Sequence, residues 1–276
     1  MMTADLADKV NETDISIFDH IPSQTNVNDR VSLLLIQQSL RKTGDYVYLE
    51  IGSHLGGTIQ PHYADSRCQR IYSIDKRPLS QPDERGERYA YPENSTRTMR
   101  ENLARAFPAA DQNKLVTYDM DASEVEPSRV EIAPDFCFID GEHTDKALLS
   151  DFRFCLSVSK PDTLIATHDS GVVVNALQTI KRQLDADNIP YERLKLAGSV
   201  YAIALGKKAG LWRERLADVL QDEDYFVRSS RFYLKRQKRE ARLVRWPLLL
   251  QGYRRLASLK DVLYRFVFRS DGICSL

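Results

Sequence analysis

The sequence predicts a layered α/β fold: a mostly parallel seven-stranded sheet closed by an antiparallel hairpin, followed by a basic helical extension. Three observations carry that expectation. Five short apolar runs rich in β-formers alternate with helical patterns, which implies parallel pairing through crossover helices. The last two strand candidates, within "ERLKLAGSVYAIALGK", are separated only by residues around Ala197-Gly198-Ser199. No helix fits in that interval, so these two pair antiparallel. Beyond them the composition turns basic.

Taken in order, Asn28 is expected to cap a helix that runs to about Lys42, with Val31, Leu34, Leu35 and Leu40 as its buried stripe and Gly44 as its stop. The first strand is "YVYLEIG", and a glycine turn follows it. Further strands are expected in "RIYSID", "KLVTYDM", "DFCFID" and "TLIATHD". Helices are expected in "STRTMRENLARAF", where a serine can cap, in "TDKALLSDFRFCLSV", with Ala147, Leu148, Phe152, Cys155 and Leu156 on one face, and in "VVVNALQTIKRQLDAD". Between Lys76 and Asn94 lies a long polar loop with three prolines, a lid over a ligand or a plain surface insertion. The expected organisation is a helical segment over residues 1–44, a ligand-binding domain over 45–207 and a basic, aromatic-rich helical extension over 208–276.

A chain of 276 residues can bury one good core with an appendage. It has no apolar run near the roughly 20 residues a membrane span needs. Its opening, "MMTADLADKVNETD", lacks the basic and then apolar regions of a signal peptide, so a cytoplasmic protein is expected. The four cysteines are scattered without C-x-x-C spacing and are expected to be reduced structural thiols. The formal net charge is zero, but Arg228 to Asp271 holds 13 Lys+Arg against 3 Asp+Glu, leaving 26 against 36 elsewhere. An acidic body is therefore joined to a basic tail.

Ligands of open α/β sheets sit beyond the carboxyl ends of the strands, at the switch point in strand order. Each parallel strand delivers an acidic residue to that edge: Glu50 before the glycine turn, Asp75, Asp119 and Asp121, Asp140 in "DGEH", and Asp169 in "HDSG". Such a crowd of carboxylates suits a pyrophosphate poorly. The phosphate-loop pattern G-x-x-x-x-G-K-[ST] is absent, and the turn, which reads G-S-H-L-G-G, misses the dinucleotide spacing. A carboxylate ending the second strand suits ribose hydroxyls, which NAD and S-adenosylmethionine both carry. Glu50 beside the turn favours a cationic amino-acid ligand. An NAD-linked oxidoreductase and a non-catalytic binding module stay open as alternatives.

The segment from Phe138 to Ser170 resembles a branch of the class I S-adenosylmethionine-dependent methyltransferases, the macrocin O-methyltransferase-like and cephalosporin-hydroxylase-like proteins. It shows Ile139-Asp140-Gly141-Glu142-His143 and His168-Asp169, with Pro161-Asp162 where that branch usually has Pro-Gly. The resemblance spans roughly Tyr46 to Gly206. It implies a Rossmann-like fold whose strand order ends in an antiparallel hairpin. It also implies that Glu50, Gly52 and Gly56 face the methionine part of S-adenosylmethionine, that Asp75 binds the ribose, and that Asp121 and Ala122 approach the adenine. The implied reaction is methylation of a hydroxyl on a sugar, glycolipid or related acceptor. Metal-dependent members place carboxylates at the Asp140 and Asp169 positions on Mg²⁺. Here His168 and Ser170 flank Asp169, and imidazole is a poor magnesium ligand, so a histidine base, His143 or His168, is the competing expectation. Asp151, one turn after Ala147, is expected to be structural.

Three readings compete for the tail: a helical extension that packs on the body or on a second copy, attachment to an anionic membrane at the inner face, and, least favoured, nucleic acid. Helical spacing groups Leu249, Tyr253, Leu256 and Leu259, with Leu263 and Phe266 beyond.

Overall fold

A computed structural model describes residues 8–244, 246, 249–251, 253 and 254. Helix α1 (Val27–Thr43) is started by Asn26, not Asn28. The Asn26 side chain accepts from the backbone N–H groups of Asn28 and Asp29, and Asp29 reaches back to the Asn26 N–H. That reciprocal box places the cap two residues earlier than expected. Gly44, at φ 123°, ends the helix as expected.

Strands β1 (Tyr46–Ile51), β2 (Cys68–Ile74), β3 (Leu115–Tyr118), β4 (Phe136–Ile139) and β5 (Leu164–Thr167) form the parallel part of the sheet. Between them run α2 (Thr96–Ala106) and α3 (Asp145–Val158), and α4 (Val174–Ala186) follows β5. Every residue of β1, β4 and β5 is buried, because both faces of a parallel sheet are covered. The hairpin β6 (Tyr191–Lys195) and β7 (Tyr201–Leu205) closes the sheet in the order β3-β2-β1-β4-β5-β7-β6, with β7 antiparallel to both neighbours. Strand order reverses between β1 and β4, so a cleft opens beyond their carboxyl ends. Separate apolar cores fill the two faces, one around Leu34, Tyr48 and Phe136, the other around Leu49, Ile139 and Ile203. Cys68, Cys137 and Cys155 are buried free thiols, and Cys274 lies outside the described residues.

The polar loop is not featureless. Ser80–Pro82 and Arg88–Ala90 pair as a small antiparallel hairpin, and Glu84 ties it to the body by accepting from the backbone N–H of Asp145 at 3.1 Å. The C-terminal region also joins the body. Helix α5 (Ala209–Arg215) buries Trp212 in the first core, and α6 (Glu223–Leu243) packs Phe226 against Tyr201, ring centroids 5.7 Å apart, while Lys238 reaches Glu84. The body therefore does not end at residue 207. Leu256, Leu259, Leu263 and Phe266 lie outside the described residues. No helix among the described residues is long and apolar enough to cross a membrane.

Removing residues 223–276 should bare the Tyr201 surface and the Glu84 hairpin. We expect a fall in Tm of several degrees or aggregation, read by thermal unfolding, since burying an aromatic ring contributes about 1.5–3 kcal/mol.

Candidate active site

The site grows from the glycine turn. Gly52 sits at φ 91°, where L-residues are strained, and a Cβ there would stand 2.2 Å from the carbonyl oxygen of Asp140. Glycine thus lets the ends of β1 and β4 touch. Gly56, at φ 89°, takes the chain past Met99 and Leu103 of α2. Five non-glycine residues among those described have positive φ, and three of them, His54, Arg77 and Asp169, surround this turn. Such local strain concentrates where function constrains the backbone.

Two clefts meet at the turn and share Gly52, Asp75, Gln81 and Gly141. One runs between the 3-10 turn Ala122–Glu124 and the first turns of α3, with Ile51, Ile74 and Met120 as its apolar face. The other is polar and is bordered by Gln24, His54, Tyr91, Asn94, Asp140 and His143. Gln81, Tyr91 and Asn94 come from the 76–94 loop, so that loop covers the site. The Tyr91 ring meets His54 edge-on at 5.3 Å.

Asp75 ends β2 and lines both clefts. Its carboxylate already accepts from the backbone N–H of His54 at 2.9 Å and of Arg77 at 2.7 Å. It therefore braces the glycine turn as well as lining both clefts. Asp75→Ala should lower affinity for S-adenosylhomocysteine at least tenfold, about 1.5 kcal/mol or more for a charge-assisted bond. The apo protein should melt several degrees lower too, because two backbone donors lose their acceptor. Calorimetric titration and thermal unfolding read the two effects separately.

Glu50 does not reach either cleft. Strand alternation turns it into the core, 0% exposed, where it pairs with the Tyr48 hydroxyl and accepts from Thr58 Oγ1 at 2.6 Å. Burial pushes its pKa up to about 8, against the bonds from Thr58 and Tyr48, so near neutrality it holds its proton. It braces the turn from beneath rather than presenting a charge to a ligand. Asp121 and Ala122 do line the first cleft, with the Asp121 carboxylate capping the 3-10 turn through the Ser123 N–H at 3.0 Å.

Asp140, His143, His168 and Asp169 come together, but not as two neighbouring carboxylates. The register pairs Ile139 with Thr167, so His168 stands level with Asp140, and Asp169 lies one residue further along. His143 spans the gap: Nε2 is 3.2 Å from Asp140 Oδ1 and Nδ1 is 3.3 Å from Asp169 Oδ2. Behind it, His168 is 5% exposed, with Nδ1 at 3.0 Å from Asp140 Oδ1 and Nε2 at 3.1 Å from Asp29 Oδ2. Carboxylates and imidazoles therefore alternate from Asp169 to Asp29. Burial works against both imidazolium ions, yet the facing carboxylates outweigh it and raise both pKa values, His168 the more strongly. Burial also opposes the Asp140 charge, but the two histidines hold its pKa well below the usual carboxylate range. His168, with each nitrogen engaged by a carboxylate, is built to be a charged brace rather than a base. Asp29 was not visible as a site residue in the sequence: it lies 139 residues from His168 and reads as a helix-cap acid.

The donor set decides how well Mg²⁺ fits. Asp140 and Asp169 face each other only through His143, which would have to swing out to admit an ion. The three ligand atoms that lie within 4.8 Å of one another belong to Asp140, His143 and His168, one oxygen and two nitrogens. Magnesium prefers an all-oxygen shell, so the arrangement as it stands fits an imidazole bridge and not Mg²⁺.

Residues 49–170 match the model of a family described as a methyltransferase domain. Among solved structures, the O-methyltransferase NovP is 9% identical and superposes with a TM-score of 0.55 over 73% of this chain and 100% of that chain, a likeness of fold. The O-methyltransferase of Bacillus cereus in complex with SAH is 17% identical over 74% of this chain and 91% of its own, at a TM-score of 0.48. No curated protein matches the sequence. With the sheet order and glycine turn above, the match defines the class: the chain carries a class I methyltransferase domain. It is an enzyme dependent on S-adenosylmethionine, and the dinucleotide alternative falls away.

Proposed function

We propose that this methyltransferase acts on oxygen, methylating a hydroxyl of a small polar acceptor of the sugar or glycolipid type. The observation that carries the reading is the placement of His143. It stands on the wall of the polar cleft, which joins the nucleoside-sized cleft at Gly52 and Asp75. When bound, S-adenosylmethionine supplies an electrophilic methyl on a sulfonium. The chain does the rest. Gly52 and Gly141 leave room at the junction of the clefts, and Asp75 faces the ribose hydroxyls. Asp140, held by the His168–Asp29 brace, orients His143 through Nε2. Nδ1 exchanges Asp169 for the acceptor hydroxyl and takes its proton as the C–O bond forms. The polar lining and the Tyr91 ring support a sugar-like acceptor, since a ring face and hydrogen-bonding edges match a pyranose.

Release of S-adenosylhomocysteine in the presence of a strong chelator tests this route. Undiminished turnover with a sugar-type acceptor is expected. Activity abolished by chelator and restored by Mg²⁺ would move the proton transfer to a metal held by Asp140 and Asp169.

A second reading concerns the tail. Arg231, Lys235, Arg239 and Arg242 are exposed along α6, and Val244, Trp246 and Leu249 are exposed at its end. Basic and apolar groups together suit an anionic membrane surface. Pelleting with phosphatidylserine vesicles should weaken with salt, and salt-independent pelleting would remove this reading.

A further inference from the structure

The candidate base stands on a stretch of chain outside the sheet. Strand β4 ends at Ile139 and α3 begins at Asp145, so His143 lies in the irregular segment between them. The hairpin of the 76–94 loop grips that segment. The backbone N–H of Glu84 donates to the His143 carbonyl oxygen at 2.9 Å. Two residues along, the Asp145 N–H donates to Glu84 Oε2 at 3.1 Å. The turn that presents Glu84 is itself held. Asp83, 6% exposed, accepts from the backbone N–H groups of Arg85 at 2.8 Å and Glu87 at 3.1 Å. A movement of Glu84 is therefore passed to the His143 backbone and not absorbed in the loop.

The other carboxylate oxygen of Glu84 is taken by the C-terminal region. Lys238 of α6 pairs with Glu84 Oε1. The same helix packs Phe226 against Tyr201 and sets Ser230 Oγ 3.3 Å from where a Cβ at Gly171 would stand. Phe226, Ser230, buried Leu234 and Lys238 recur at four-residue intervals, as neighbours along one side of a helix. Gly171 lies two residues beyond Asp169, whose Oδ2 is 3.3 Å from His143 Nδ1. Helix α6 thus supports the surroundings of His143 from two directions. It reaches the end of β5 through Ser230 and the segment before α3 through Lys238 and Glu84.

We propose that Glu84 is a positioning residue for methyl transfer, fixing the His143 segment between the loop and α6 with Lys238 as its counter-charge. This rests on the reading of His143 as base given above, while the placement of the His143 ring is measurable without it. The ion pair is partly exposed, 34% for the Lys238 side chain and 22% for that of Glu84, so it stabilises weakly. Lys238 therefore tunes the position, and the bonds of Glu84 to the His143 and Asp145 backbone set it. Misplacing a reacting group by about 1 Å lowers a rate by up to about 10²-fold.

Two measurements on the full-length protein test it. The chain has five histidines, so NMR resolves five imidazole signals, and the one missing in His143→Ala is assigned to that ring. In Glu84→Ala and Lys238→Met the His143 signal should shift or broaden, while those of His20 and His62 stay in place. Lys238→Arg, which keeps the ion pair, should restore the wild-type signal. Turnover is read as S-adenosylhomocysteine release with a sugar-type acceptor. Its kcat should fall about tenfold or more in Glu84→Ala and about two- to fivefold in Lys238→Met. Affinity for S-adenosylhomocysteine should stay near the wild-type value in both. If Glu84→Ala does not fold, Glu84→Gln takes its place, since it keeps an acceptor for the Asp145 N–H and loses the charge. An unmoved His143 signal overturns the proposal, and so does a shift of all five signals together. Unchanged kcat, or a loss of cofactor affinity as large as the loss of kcat, does the same. Full turnover in His143→Ala overturns the base reading and with it the part of Glu84 in catalysis, but not the contact that places the ring.

Discussion

His143→Ala should lower kcat by about 10²–10⁴-fold while leaving affinity for S-adenosylhomocysteine within a factor of about two. The separation is expected because His143 lines the polar cleft and not the nucleoside cleft. Stopped assays of methyl transfer and calorimetric titration read the two quantities independently. pH adds a second arm. The carboxylates of Asp140 and Asp169 raise the His143 pKa against burial and the nearby His168 charge. Below that pKa the ring is an imidazolium and accepts no proton, so turnover should rise with pH through a midpoint above the ordinary value of about 6.5. Stability should move the other way. A histidine whose folded pKa is raised contributes stability that is full below its unfolded pKa and is lost as pH rises through the folded one. Activity should therefore increase with pH over the interval in which the melting temperature falls. A flat rate profile, or near-full turnover by His143→Ala, would remove the histidine as base.

Gly52→Ala should abolish measurable binding of S-adenosylhomocysteine and lower Tm by several degrees. The new Cβ would lie 2.2 Å from the Asp140 carbonyl oxygen, 2.4 Å from its carbon and 2.6 Å from the Gly141 Cα. These are backbone atoms, so no side chain can turn away to make room. The carboxyl ends of β1 and β4 would have to separate, and the positive φ adds about 1–2 kcal/mol of strain for an L-residue. Since Gly52 and Gly141 line both clefts, the displacement reaches ligand and base together. Gly210→Ala is the matched control: nothing lies within 4 Å of its added methyl and its φ is not in the left-handed region, so binding and Tm should stay near wild type. Wild-type affinity in Gly52→Ala would show that the turn does not cradle the cofactor.

The strands were legible because their cause is local. A parallel strand buried on both faces must be apolar throughout, and "YVYLEI" or "FCFI" says so within a few residues. The hairpin was legible from three residues too few to cross the sheet. The acidic residues at the strand ends were legible as a group, since topology sends every parallel strand's carboxyl end to one edge. Their individual roles were not. Glu50 stands one residue before the end of β1, and only packing against Thr58 and Tyr48 shows that it faces the core. Asn28 lost the cap to Asn26 because two cap-forming residues two positions apart compete and the reciprocal bond with Asp29 decides.

By itself, then, the sequence determined the element order, the parallel sheet with its antiparallel edge, and the strip of glycine turn and carboxylates on which a ligand must sit. These follow from periodicity, chain length and turn chemistry, which act over a few residues. Only the tertiary structure decided which acids are free. A single strand register set His168 beside Asp140 and put His143 between Asp140 and Asp169. The cap of α1 supplied Asp29 to a histidine 139 residues away. Hydrogen bonds between distant segments depend on distances of a few tenths of an ångström, and no local pattern encodes them.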